Sequence, residues 1–239
     1  QWKMFSTTGQ PDTVTPHALT RAEIKAIVAD FRQGAANAMA AGFDGVEIHS
    51  SNGYLFHQFF SAQSNQRDDK YGGSHENRAR FFFEVLDAVG EVMPFDRTGF
   101  RHNPMLNRFH GLSVDADTVP MWESIVRRAN DYGLAFLHLT EPFLPRQLDD
   151  TPHALADVGV HFRPLARMPI IANGGLDQAA GEARLAAGLC DAVAYGRAWI
   201  ANPDLVERFA RQAPLNEADM ATFYQGGEKG YLDYPALTA

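Results

Sequence analysis

Five short apolar runs, Phe43–Ile48, Thr98–Arg101, Leu134–Leu139, Pro169–Ala172 and Ala192–Tyr195, alternate with segments of helical periodicity along this chain. That alternation constrains the fold more than any other feature. A strand followed by a helix is carried back before the next strand begins, so successive strands lie parallel in one sheet with helices on its faces. The chain opens on a helix. Thr20 is an N-cap and Glu23 completes a capping box, after which Ile24, Ile27, Val28, Phe31, Ala35, Ala38 and Met39 keep helical spacing up to Gly42. Ser74 with Asn77 opens a second helix to about Met93, and a third spans about Ala116–Tyr132. A weak helix over Val158–Arg167, another over Gln178–Ala187 and helical segments near Ala198–Ile200 and Leu205–Gln212 complete the pattern. The stretch from His49 to Gly73 reads as a long polar loop, the first eighteen residues as an irregular arm, and the end of the chain as a polar, glycine-bearing tail.

Two architectures fit this order. A doubly wound open sheet is complete with five strands, whereas a (β/α)₈ barrel needs eight, and counting alone favours the first. The helix-first start suggests a further strand upstream of Gln1. No linker or low-complexity run divides the 239 residues, so the chain reads as a single domain over 1–239. A net charge of -8 and the lack of a Lys/Arg cluster argue against nucleic acid as a partner. No apolar run approaches the roughly 18–20 residues of a membrane span, and no leader segment is visible. The single cysteine, Cys190, cannot form an internal disulfide, which fits a cytoplasmic protein acting on small molecules.

In both architectures, polar residues at the C-terminal ends of strands mark the site. Those ends present His49 with Asn52, then Arg101, then Thr140 and Glu141, then Asn173, Gly174 and Gly175, then Gly196 and Arg197. The last two loops share a logic. In "IIANGGLD" and "AVAYGRAWI" an apolar strand runs into glycine just before a helix, where backbone can approach an anion. Such glycines also serve tight turns; two successive loops, one with an arginine able to fork onto phosphate, favour the anion. In "VEIHSSNGYL", alternation puts Glu47 and His49 on one face. His49 and Asn52 can both donate to one oxygen, which polarises a carbonyl or nitro group, and Tyr54 can supply a proton. Arg101 can stabilise a developing anion or pair with Glu47 if their strands are neighbours. Cys190, Trp122 and Trp199 read as packing or interface residues, and Phe81–Phe83 as a helix packed on two sides. His138 and His161 lack the companions of a metal site.

The stretch "AGFDGVEIHSSNGYLFHQFFSAQSNQRDDKYGGSHENRARFFFEVLDAV", followed in order by "YGRAWIANPDLVERF", "PLNEADMATFYQGG" and "GYLDYP", resembles the Old Yellow Enzyme family of flavin-dependent ene-reductases, from about Leu19 to Leu237. The resemblance implies a (β/α)₈ barrel with FMN at the strand C-termini, only about strands four to eight being present in this chain. It implies that NADPH or NADH reduces FMN, and that hydride then passes to an alkene activated by a carbonyl or nitro group. His49 and Asn52 match the residues that bind the activating oxygen, and Tyr54 matches the proton donor. Arg101 matches a residue beside the flavin N1 and O2; Gly174, Gly175, Gly196 and Arg197 match the phosphate loops; Tyr224 matches an aromatic lining the substrate pocket. "RHNP" departs from the family, where a smaller, less polar pair commonly follows the arginine. The family domain is longer, so the chain is expected to meet a complementing chain, to self-associate, or to be a catalytically silent fragment.

Overall fold

Thr20 and Glu23 close the expected capping box: the Glu23 amide donates to Thr20 Oγ1 and the Thr20 amide to Glu23 Oε2. Those bonds satisfy donors that a helix start otherwise leaves open, and they hold the Glu23 carboxyl down to about 2. The helix they start, α1 (Arg21–Ala40), precedes five strands in a computed structural model that describes residues 15–109, 111–142, 151–223 and 227–237. The strands are β1 (Val46–His49), β2 (Thr98–His102), β3 (Phe136–Thr140), β4 (Ile170–Asn173) and β5 (Ala192–Val193). Between β1 and β2 lie α2 (Leu55–Phe60) and α3 (His75–Gly90). Then α4 (Thr118–Ala129), α5 (Val158–Phe162) and α6 (Gln178–Ala186) alternate with the strands, and α7 (Arg197–Ala201) and α8 (Leu205–Arg211) follow β5.

All strand pairs are parallel and their order in the sheet is their order in the chain. A doubly wound sheet reverses direction partway, with strand one inside the sheet; here no reversal occurs. Sequential parallel strands are the winding of a (β/α)₈ barrel, and these five form an arc of one. The preference for an open sheet on strand count is thus overturned.

The chain divides into two compact units, one of Pro16–Gly175 with Gly181–Val193, the other of Gln1–Thr15, Leu176–Ala180 and Ala194–Ala239. In the first, register puts Ile48, Phe100, Leu139 and Ala172 on one side of the sheet, all buried beneath helices. The expectation of two-sided packing at Phe81–Phe83 is met. Phe81 lies against Phe56 and Phe59 of α2, Phe82 reaches Phe100 of β2 with centroids 5.6 Å apart, and Phe83 meets Tyr132 and the Arg128 guanidinium. This aromatic layer also explains α2, which falls where a loop is expected. Its six residues have no side-chain cap, but burying Phe56, Phe59 and Phe60 against α3 and Trp122 outweighs their weak helix preference. Trp122 is in the core, as expected, while Trp199 is partly exposed. Cys190 is buried.

In the second unit the tail is pinned rather than loose. Arg208, almost fully buried, donates to Asp204 Oδ1 and to the carbonyl oxygens of Pro214 and Pro235 at 2.5–2.7 Å, while Asp204 Oδ2 accepts from the Leu237 amide. No helix among the described residues is long and apolar enough to cross a membrane.

Two core histidines give the fold a pH dependence. His57 Nδ1 accepts from the Gly53 amide, and His102 Nδ1 lies 3.0 Å from Ser50 Oγ; both rings pack against Trp122. Burial pushes His57 down to about 4 and His102 down to about 3, from an ordinary 6.5. The unfolded chain therefore binds protons below pH 6.5 that the folded one refuses, and stability falls as pH drops. Urea midpoints should decline from pH 6.5 to about 5, above the range where paired carboxylates titrate. The slope should lose about one proton in His102→Asn; an unchanged slope would show that His102 is not held neutral.

Candidate active site

The β1 strand ends at His49, and the chain then reverses through Ser51-Asn52-Gly53-Tyr54. Asn52 (φ 58°) and Gly53 (φ 77°) are both left-handed, and the Tyr54 amide donates to the Ser51 carbonyl at 3.2 Å. Two left-handed central residues are what a type I′ turn requires, and Asn followed by Gly is the pair that tolerates them best. The turn folds Tyr54 back toward the strand it has just left. The His49 and Tyr54 rings meet edge on with centroids 5.3 Å apart, and Tyr54 is 56% exposed. Imidazole, amide and phenol are thus gathered by local geometry.

The loop after β2 locks this turn. The Ser50 amide and hydroxyl both donate to the Arg101 carbonyl, at 3.3 and 2.7 Å, so the His102 ring nitrogen Nδ1 is the donor to Ser50 Oγ. Asn103 Nδ2 donates to Asn52 Oδ1 at 2.7 Å. With its oxygen engaged, the Asn52 side chain keeps its N–H donors for a ligand.

The face of the sheet opposite the helices carries the remaining polar groups. Register places His49 opposite Arg101, Arg101 opposite His138, and Thr140 opposite Asn173. Glu47 does not pair with Arg101, although their strands are neighbours: its carboxylate takes His138 Nδ1 at 2.8 Å, one strand further across. Arg101 makes only long bonds to Thr140 Oγ1, both 3.4 Å, and no ion pair among the described residues. A guanidinium so held retains most of its capacity for an anion. Burial, and then the Arg101 charge, push the His49 pKa below its ordinary value, with Glu47 opposing. His49 is therefore neutral at neutral pH. Among the described residues its Nδ1 is buried without a partner, as are His138 Nε2 and Asn173 Oδ1 on the same face. Buried polar atoms without partners are uncommon, and here they cluster where a ligand would supply the missing bonds.

The glycine loops separate. Gly174 sits at φ 117°, and a Cβ there would stand 2.5 Å from the Glu141 carbonyl oxygen, so close backbone approach already demands glycine. Gly175 is left-handed at φ 69°. Glu141 itself turns to structural use. Its carboxylate accepts from the Val158 and Gly159 amides, both at 2.8 Å, and pairs with Arg184, tying α5 to the end of β3. In the other unit a Cβ on Gly196 would meet open space, and Arg197 is exposed with no ion pair among the described residues. Nothing in its own packing calls for glycine at 196. Tyr224 lies outside the described residues. Sequence reasoning missed the Glu47–His138 pair, whose partners are 91 residues apart, and His57, hidden in a stretch read as loop.

Comparison with known proteins agrees with this geometry. The NADH:flavin oxidoreductase / NADH oxidase family matches residues 4–216. Among curated relatives, 12-oxophytodienoate reductase 1 of Oryza sativa subsp. japonica is 42% identical over 93% of this chain and 58% of its own length. For 12-oxophytodienoate reductase 2 of Arabidopsis thaliana the figures are 40%, 93% and 59%. The solved structure of morphinone reductase superposes with a TM-score of 0.88 at 43% identity, over 96% of this chain and 60% of that one. An old yellow enzyme homologue from Zymomonas mobilis gives 0.90 at 32%, over 98% and 64%. The chain thus spans about three fifths of the length of these relatives. With the family matched over most of its residues, and the barrel winding shared with solved members, the chain belongs to the NADH:flavin oxidoreductase / NADH oxidase family, the Old Yellow Enzyme group its motifs resemble.

Proposed function

We propose that the chain carries the catalytic half of an FMN-dependent ene-reductase that draws on NADPH or NADH and reduces a C=C bond conjugated to a carbonyl or nitro group. The observation that carries this reading is the turn after β1, which brings a neutral His49, the donor end of Asn52 and the Tyr54 phenol to one place. The residues present fit the cofactor. Buried atoms of His49, His138 and Asn173 that lack partners among the described residues cluster beside Arg101 on the open face. In the first unit Arg101, Gly174 and Gly175 are the residues that would hold FMN, which would supply hydride when bound; in the other unit Gly196 and Arg197 are read as phosphate ligands from their motif. His49 and Asn52 each give one hydrogen bond to the activating oxygen, drawing electron density from the alkene. Because His49 is neutral, it polarises that oxygen without surrendering a full proton. Tyr54 gives its proton to the α-carbon, and its exposure lets solvent replace it. Arg101, which matches a family residue beside the flavin N1 and O2, would offer positive charge to the reduced flavin.

A second reading, a silent chain that self-associates or awaits a complementing one, draws on the sheet edges. Among the described residues β1 and β5 each pair on one side only. Beside β1 lies an apolar cleft of about 330 Å³, lined by Ile27, Phe31, Ala35, Val46, Ile48 and Val89 among others. The two readings part on colour. The purified chain, incubated with excess FMN and desalted, should retain a visible flavin spectrum; a colourless protein would support the second reading.

Tyr54→Phe should slow alkene reduction by about 100-fold or more and leave flavin reduction by NAD(P)H little changed, as rapid-mixing absorbance would resolve. Equal slowing of both half-reactions would remove Tyr54 as the proton donor. Arg197→Ala should weaken FMN binding by about tenfold, measured by flavin fluorescence quenching, because a charge-assisted phosphate contact is lost. Unchanged affinity would refute the phosphate role.

A further inference from the structure

We infer that Asn103, a residue at which this chain departs from the pattern its family commonly shows, is a positioning residue that restricts the site to ligands presenting a hydrogen-bond acceptor. The inference rests on the ene-reductase reading and adds a selection rule to it. A primary amide offers an acceptor at one end and donors at the other, and the ends exchange by a half-turn about χ2 at almost no cost in shape. Left alone, Asn52 would bind a carbonyl oxygen with its nitrogen and a hydroxyl with its oxygen. It is not left alone. Its backbone is fixed at φ 58° in the turn after β1, and its Oδ1 is occupied by Asn103 Nδ2 at 2.7 Å.

The residue that occupies it is itself well placed. Asn103 is 3% exposed, one residue beyond the end of β2, and its backbone carbonyl accepts from the Leu106 amide. Neighbouring His102 is anchored by Ser50 and Trp122, so the short segment has little freedom to move. Asn103 Oδ1 is buried without a partner among the described residues. The bond to Asn52 is therefore the one hydrogen bond its side chain makes among the described residues, and packing for shape alone would be served better by an apolar residue. With its oxygen turned to Asn103, the Asn52 amide leaves its N–H donors for a ligand, in concert with the His49 N–H. Two donors suit a carbonyl or nitro oxygen, which only accepts, and offer no acceptor to a hydroxyl or amine hydrogen.

Two isosteric variants separate orientation from packing. Asn103→Leu removes the donor and frees the Asn52 amide. Asn103→Asp presents acceptors only, so Asn52 must turn its nitrogen inward and its oxygen toward the ligand. Titration calorimetry of FMN-loaded protein with 2-cyclohexenone and with 2-cyclohexenol gives the ratio of the two affinities. Wild type should prefer the ketone. Asn103→Leu should weaken ketone binding by about tenfold and change alcohol binding little, and Asn103→Asp should invert the preference. Equal weakening of both ligands, or no change, would overturn the inference, since a structural residue affects both alike. A measurement without flavin stands beside it. Hydrogen exchange of the Asn103 side-chain amide, followed by NMR on the labelled chain, should be slow in wild type and at least tenfold faster in Asn52→Leu. Unchanged exchange would equally overturn the inference. Should wild type bind neither ligand, the ene-reductase reading fails by itself, and amide exchange alone decides whether Asn103 holds Asn52.

Discussion

The register of β1 on β2 governs where His49, Asn52, Tyr54 and Arg101 fall. His49 lies opposite Arg101, so the next residue, Ser50, can direct both its amide and its hydroxyl to the Arg101 carbonyl, and the turn that follows meets the segment after β2. That meeting puts Asn52 against Asn103 and His102 beneath Ser50. Slipping one strand by a residue would turn His49 into the helix layer and Ile48 out of it. The register is guarded by what lies beneath. Phe100 rests on Phe82 and His102 on Trp122, and each neighbour is part of a continuous aromatic layer through α2, α3 and α4. Stability and chemistry share these residues, because the strand that packs Phe100 on one side presents Arg101 on the other.

The two sides of the sheet divide the work by solvation. On the helix side, Ile48, Phe100, Leu137, Leu139 and Ile170 are removed from water. On the opposite side stand Glu47, His49, Arg101, His138 and Thr140, and the two histidines each keep a buried ring nitrogen that no described residue satisfies. Charge is spread there over three strands, with Glu47 engaged by His138 and Arg101 without a carboxylate partner among the described residues. An arrangement that holds a cation without neutralising it is suited to an anionic or electron-rich guest. Burial first, and then the same cation, depress the neighbouring imidazole, so Arg101 contributes to the protonation state of the residue that would grip the substrate.

Much of this is legible in the order of residues. Thr20 with Glu23 announces α1, Ser74 with Asn77 announces α3, and each expected strand lies within a few residues of an observed one. The Asn-Gly pair announces the turn that assembles the candidate site. The errors share a cause, which is dependence on partners distant in the chain. Leu55–Phe60 is helical because three phenylalanines find a pocket made by α3 and α4, something its own six residues cannot signal. Glu47 chooses His138 over the nearer Arg101 through the relative height of side chains on three strands. Gly174, which reads as an anion cradle, is required by the backbone of Glu141 as well.

The alternation of short apolar runs with helical segments was enough to specify parallel strands, and the residues ending those runs were enough to nominate His49, Asn52, Tyr54 and Arg101. Local chemistry accounts for both: capping, periodicity and the left-handed tolerance of Asn and Gly act over a few residues. Whether the strands wind as an open sheet or as an arc of a barrel was decided only when each strand took its neighbour in chain order. So too was the orientation of the Asn52 amide, since its two ends are nearly alike in shape and only the donor of Asn103, 51 residues away, tells them apart.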